Sequence, residues 1–151
     1  MLRSQPIVTL IVLISAFGCD RGVPTSPRPF LFERMGGQAA ITASVDSFYA
    51  MLKEDRTMWR AFKPVLEDES GQRATRFKTM MATLMCRVGG GACSYEGLSM
   101  SDAHADMDVS GLEFDAMMEH LDRALYANNV GAEERKEMLA IFNQMKYQIV
   151  R

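Results

Sequence analysis

Histidine is nearly absent from this 151-residue chain: only His104 and His120 occur, sixteen residues apart. With three cysteines and neither a CxxC nor an HExxH pair, the chain lacks what a zinc centre needs, since such sites take three or four Cys, His or carboxylate ligands at short paired spacings. No serine or cysteine sits in a nucleophile elbow, so a hydrolytic triad has no anchor. Nucleotide cradling is unsupported for a similar reason. No glycine loop follows a strand, and Gly89-Gly90-Gly91 lacks the lysine and following helix of a P-loop. A formal net charge of -2 removes the electrostatic reason to expect nucleic acid. Tryptophan occurs once, whereas methionine occurs 13 times against 8 Phe and 4 Tyr. A methionine-rich interior adapts to irregular cavities. It suits a core shaped around a ligand and equally a core never required to be rigid.

Met1 to Gly18 has the composition of a targeting segment. Arg3 gives the positive start, Ile7 to Ile14 is almost wholly apolar, and Ser15-Ala16-Phe17-Gly18 precedes Cys19. The apolar stretch is too short to cross a bilayer core of roughly 30 Å as an ordinary helix. A cysteine directly after such a segment resembles a bacterial lipoprotein signal, although Ala16 stands where leucine is usual and Phe17 is bulky. The expectation is export with lipidation at Cys19. Plain cleavage nearby and an uncleaved anchor are the alternatives. Residues 19–29, with Pro24, Pro27, Pro29 and Gly22, read as an extended tether. The folded domain then covers residues 30–151, which is enough chain to bury a core without disulfides.

From Phe30 onward the periodicity is helical and no convincing strand appears. Leu31 to Met35 is a short apolar turn stopped by Gly36-Gly37. Ile41, Val45, Phe48, Tyr49 and Leu52 recur at helical spacing, predicting a helix over about 38–53. Thr57 to Phe62 supports one or two turns, with Pro64 expected to break them. Phe77, Met81, Leu84, Met85 and Val88 stripe a second long helix over 69–88, ended by the glycine run and followed by a loop to Leu98. Ser99 is an N-cap for a very short helix holding His104. Ser110-Gly-Leu-Glu113 is a capping box, followed by the stripe Phe114, Met118, Leu121 and Leu125. Met138, Ile141, Phe142, Met145 and Ile149 stripe one last helix. The sum is an all-α domain with a single core.

His104 shares a helical face with Met100 and Met107, at offsets of minus four and plus three. A histidine there is a satisfied core residue, a surface residue or an axial metal ligand, and the pattern alone leaves all three open. His120 lies beside the stripe of its helix and reads as structural. Cys86 and Cys93 flank the glycine run. A disulfide between them is chemically permitted outside the cytoplasm, and the flexible glycines allow the Cα separation of about 4.4–6.8 Å that it needs. Two free thiols are the alternative.

Taken together these segments resemble the truncated haemoglobins, specifically group I. Leu31-Phe-Glu-Arg-Met-Gly-Gly-Gln-Ala-Ala-Ile41 resembles the family's opening, and Phe48-Tyr49 the Phe-Tyr pair of its second helix. Gly90-Gly91 with Tyr95-Glu-Gly97 is similar to its second glycine motif and tyrosine-glycine turn. Met100-Ser-Asp-Ala-His104 resembles the segment carrying the haem-binding histidine, and Phe114-Asp115 with His120-Leu121 the next helix.

The resemblance implies a two-over-two helical sandwich around one b-type haem, with His104 as the proximal iron ligand. It implies a distal Tyr49, whose phenol donates to dioxygen, and distal positions at Phe77 and Met81, where relatives often carry glutamine. Phe48, Phe62, Leu84 and Met118 become haem-packing candidates. Asp106, two residues beyond the ligand, would make the imidazole more electron-donating if it reached the ring, favouring oxidation chemistry. The implied partners are dioxygen and nitric oxide, bound by a protein tethered through lipid on the outer side of the bacterial cytoplasmic membrane or in the periplasm. Nitric oxide dioxygenation or peroxidase-like chemistry would need an external reductase. Two other classes remain: a haem-free helical interaction module on the same scaffold, and a thiol redox protein using Cys86 and Cys93.

Overall fold

The computed structural model describes residues 27–151. The signal segment, Cys19 and most of the tether lie outside the described residues. Among the described residues eight helices follow one another: α1 (Leu31–Arg34), α2 (Gly37–Glu54), α3 (Trp59–Leu66), α4 (Gln72–Val88), α5 (Met100–Ala103), α6 (Gly111–Ala127), α7 (Ala132–Asn143) and α8 (Lys146–Ile149). No strand is present among the described residues beyond an isolated parallel bridge between Val109 and Val150. No described helix is long and apolar enough to cross a membrane.

The four long helices form the two-over-two sandwich. α2 packs on both α6 and α4, and α7 packs on α6. On α2, Ile41, Val45, Phe48 and Leu52 are buried at helical spacing. Ser44 is buried beside them and donates its hydroxyl to the Ala40 carbonyl at 2.8 Å, so its own polar group is satisfied. Phe114, Met118, Leu121 and Leu125 of α6 are buried against them.

The helix ends follow local chemistry. The Ser110 hydroxyl accepts from the Glu113 amide and the Glu113 side chain accepts from the Ser110 amide, which completes the capping box of α6. At the end of α4 the Gly91 amide donates to the Cys86 carbonyl at 2.8 Å and the Gly90 amide to the Arg87 carbonyl at 3.1 Å. This paired closure needs a left-handed residue between, and Gly90 supplies it at φ 84°.

Two expectations fail. Pro64 does not break α3, which continues to Leu66. This near the helix end the proline removes one ladder bond, and the Glu67 amide already donates to the Lys63 carbonyl at 3.0 Å. Burial of Ala61 and Phe62 holds the helix against that loss. The last helix is also two helices. The Gln144 amide is shared between the Ala140 and Ile141 carbonyls, and the Met145 amide tightens onto the Phe142 carbonyl at 2.9 Å. The chain then bends, which packs α8 against α5.

Candidate functional site

An apolar crevice of about 230 Å³ opens between the two layers. α2 gives it Phe48. α3 gives Ala61, Phe62 and Val65, and α4 gives Phe77, Met80, Met81 and Leu84. Opposite these stand Met100, Ala103, His104 and Met107, while Met117, Phe142 and Ile149 close the remaining side and Tyr95 lies in the loop between. Phe77, Met80, Met81, Leu84, Met100, Met107 and Met117 are all only half-buried. Large apolar side chains left half-covered around one concavity mark a binding surface rather than a finished core.

His104 is the one imidazole in that lining. It is the residue that ends α5, one position past the helix. α5 itself is started by Ser99, whose hydroxyl accepts from the Asp102 amide at 3.1 Å. The His104 Nδ1 lies 2.8 Å from the Met100 carbonyl. A carbonyl only accepts, so Nδ1 carries a proton, and in the neutral ring the lone pair is therefore on Nε2. Asp106 is exposed and is not the ring's partner, so a neutral carbonyl rather than a carboxylate polarises the imidazole.

The crevice brings together Phe48, Phe62, Phe77, Met81, Leu84 and His104 from among the candidate residues. Tyr49 and Met118 are not part of its lining. The Tyr49 ring lies beside Phe77, with centroids 6.3 Å apart, and the Lys53 and Lys78 ammonium groups sit over it at 5.5 and 5.8 Å. Phe77 is therefore the hub of an aromatic group, meeting Phe62 edge-on at 5.4 Å and Phe48 at 6.3 Å. Met118 is buried in the core and its neighbour Met117 takes the crevice. The α6 stripe identifies which residues are apolar but not which way each one faces, and that is how Met117 escaped the sequence reading. Met100 and Met107, which share the His104 face by helical spacing, line the crevice as well, and so does Met80, which the α4 stripe does not single out.

Cys86 and Cys93 are joined in a disulfide with Cα atoms 6.0 Å apart. Cys86 is fully buried. A thiol redox site needs an accessible thiolate, and this arrangement does not present one. His120 is buried with Nε2 2.6 Å from Asp55 Oδ2, where it fastens α6 to the end of α2. It stands apart from the crevice.

The bacterial-like globin family matches residues 30–151. The chain is 33% identical over 98 residues to the group 1 truncated hemoglobin of Tetrahymena thermophila, covering 65% of this chain and 75% of that protein. It is 29% identical over 140 residues to the group 1 truncated hemoglobin LI410 of Chlamydomonas moewusii, covering 91% of this chain and 78% of that one. Among solved structures, it is similar to the 2/2 hemoglobin of Synechococcus sp. PCC 7002, in the cyanomet state and with covalently attached heme. The TM-score is 0.70 at 27% identity, with 81% of this chain and 98% of that chain covered.

Proposed function

The chain belongs to the bacterial-like globin family as a truncated globin, and on that premise we propose that His104 is the proximal ligand of a b-type haem seated in the apolar crevice. The observation that carries this reading is the Nδ1 hydrogen bond to the Met100 carbonyl. It reserves Nε2 as the ligating nitrogen of the neutral ring, on the one imidazole of a mostly apolar lining, and a ring so oriented is the form that ligates iron. The half-buried methionines fit a flat apolar macrocycle because their flexible thioethers adapt to its faces. When bound, the haem supplies iron that takes dioxygen or nitric oxide.

The residues of this chain hold and shield that centre. His104 fixes the iron from α5, while Phe62 and Phe77 exclude water on the α3 and α4 side. Any nitric oxide dioxygenation or peroxidase-like turnover would draw electrons from a reductase that is a separate protein. The lipoprotein-type start supports placement at the outer face of the cytoplasmic membrane. Membrane partition of the full chain with Cys19→Ser tests that placement, and unchanged partition would count against it.

The test of the main reading is hemin titration into residues 20–151 with and without His104→Ala. The parent should develop a Soret band whose position responds to carbon monoxide after reduction. The variant should lose the histidine-ligated spectrum. An unchanged variant spectrum would remove His104 as the ligand, and a parent with no Soret band would favour the haem-free module.

A further inference from the structure

Arg60 lies on α3, immediately before the crevice residues Ala61 and Phe62, yet its own side chain points elsewhere. Its guanidinium donates to the Met107 carbonyl at 3.1 Å and to the Asp108 carbonyl at 2.6 Å. It also donates to Glu113 Oε2 at 2.5 Å. These partners lie 47 to 53 residues away in the chain: Met107 and Asp108 in the turn that follows His104, and Glu113 in the first turn of α6. Met107 is itself hydrogen-bonded through its amide to the His104 carbonyl at 3.1 Å, and its side chain lines the crevice beside His104.

The turn so held is not one the backbone would keep by itself. Asp108 sits at φ 48°, a left-handed conformation that costs a non-glycine residue and persists when the surroundings over-determine it. One carbonyl fixed at each of Met107 and Asp108 by a single planar fork supplies that determination. The anchor behind the fork is firm. Glu113 is buried, with only 8% of its side chain exposed. The Ser110 amide and hydroxyl donate to the same Glu113 oxygen at 2.8 and 2.7 Å. Burial pushes this carboxyl up, but the Ser110 bonds and Arg60 outweigh it and hold it below the ordinary carboxylate value.

We propose that Arg60 is a positioning residue for the iron ligand. Anchored on Glu113, it ties the α3 wall of the crevice to the Met107–Asp108 turn and so sets the orientation of His104. The inference rests on the His104 reading and adds to it a residue that touches neither the imidazole nor the crevice. Arginine is required by the geometry. A planar fork reaches two carbonyls and a carboxylate at once, whereas a lysine ammonium is a compact point charge on a flexible stem.

The experiment uses the haem-reconstituted chain and compares Arg60→Met and Arg60→Lys with the parent. The control is Arg135→Met, which removes an equally formed ion pair with Asp122 at the α6–α7 turn. The readouts are the iron–histidine stretching frequency of the reduced protein and the rate at which hemin passes to an acceptor apoprotein. Arg60→Met should shift and broaden the stretching band and speed hemin loss by about tenfold, the lower range for losing an outer-shell partner of a metal ligand. Arg60→Lys should move both in the same direction by less, and Arg135→Met should move neither. If both foldable Arg60 variants keep the parent's band and hemin-loss rate, Arg60 has no positioning role. If Arg60→Met does not fold, an unchanged Arg60→Lys overturns the proposal alone. His104→Ala separates the two levels: a stretching band that survives that change refutes the ligand assignment, whatever Arg60 does.

Discussion

His104 Nδ1 and the Met100 carbonyl are 2.8 Å apart, across the single turn of α5. The carbonyl is one of the unpaired acceptors at a helix C-terminus, so the same short helix that delivers the imidazole also fixes its tautomer. Four residues of helix, capped by Ser99, are enough to set one imidazole in the crevice wall.

A first prediction concerns the ring itself. His104→Gly with added imidazole should regain the parent's spectrum in a concentration-dependent way, because the cavity left has the shape of the lost ring. Without imidazole, hemin affinity should fall by at least about tenfold. A spectrum indifferent to imidazole would show that ligation comes from elsewhere.

A second concerns dioxygen retention. The α4 wall offers Phe77, Met80, Met81 and Leu84, none of which donates a hydrogen bond. Met81→Gln should slow dioxygen dissociation by about tenfold, the value of one added hydrogen bond of about 1.4 kcal/mol. Tyr49→Phe should change it by less than about twofold, given the place of that ring between Phe77 and two lysines. Stopped-flow displacement by carbon monoxide measures both. A tenfold acceleration in Tyr49→Phe would mean that the phenol turns into the crevice when haem is bound.

A third concerns the disulfide. Cys86 and Cys93 close a ring of about eight residues at the end of α4, and loop-closure entropy for that length is about 2.5 kcal/mol. Reduction, or Cys93→Ser, should lower unfolding stability by up to that amount in urea titrations. The loss should also loosen the loop that carries Tyr95 to α5. Identical midpoints with and without reductant would rule out a structural contribution.

A fourth concerns pH. The hydrogen bond from His120, with help from the Thr57 amide and against the cost of burial, holds the Asp55 carboxyl below its usual value. A carboxyl whose folded-state value is depressed adds stability above its unfolded value of about 3.9, and that stability drains away as pH falls through the lower folded value. Asp55→Asn should therefore cost about 1 kcal/mol near neutral pH, and the gap to the parent should close under acid conditions. Urea titrations from pH 7 to pH 3 measure it; a gap that stays constant throughout would assign the loss to packing.

Local chemistry in the sequence determined the helical part of this protein. Stripes such as Ile41, Val45, Phe48 and Leu52 have one low-energy arrangement, and the Ser110–Glu113 box and Gly90 close their helices through neighbours a few residues away. The glycine pairs and the Met100 to His104 segment carried the family resemblance, and at the glycines the residue type is set by close approaches such as that of Gly90 to Phe30. Only the tertiary structure decided what depends on partners distant in the chain. It turned Met117 rather than Met118 toward the crevice and let α3 run through Pro64. It broke the last helix at Gln144, and it sent Arg60 to two carbonyls and a buried carboxylate 47 to 53 residues ahead. The reason is physical: periodicity specifies that a helix has an apolar face, while the azimuth of that face and the reach of a long side chain are fixed by packing against other helices.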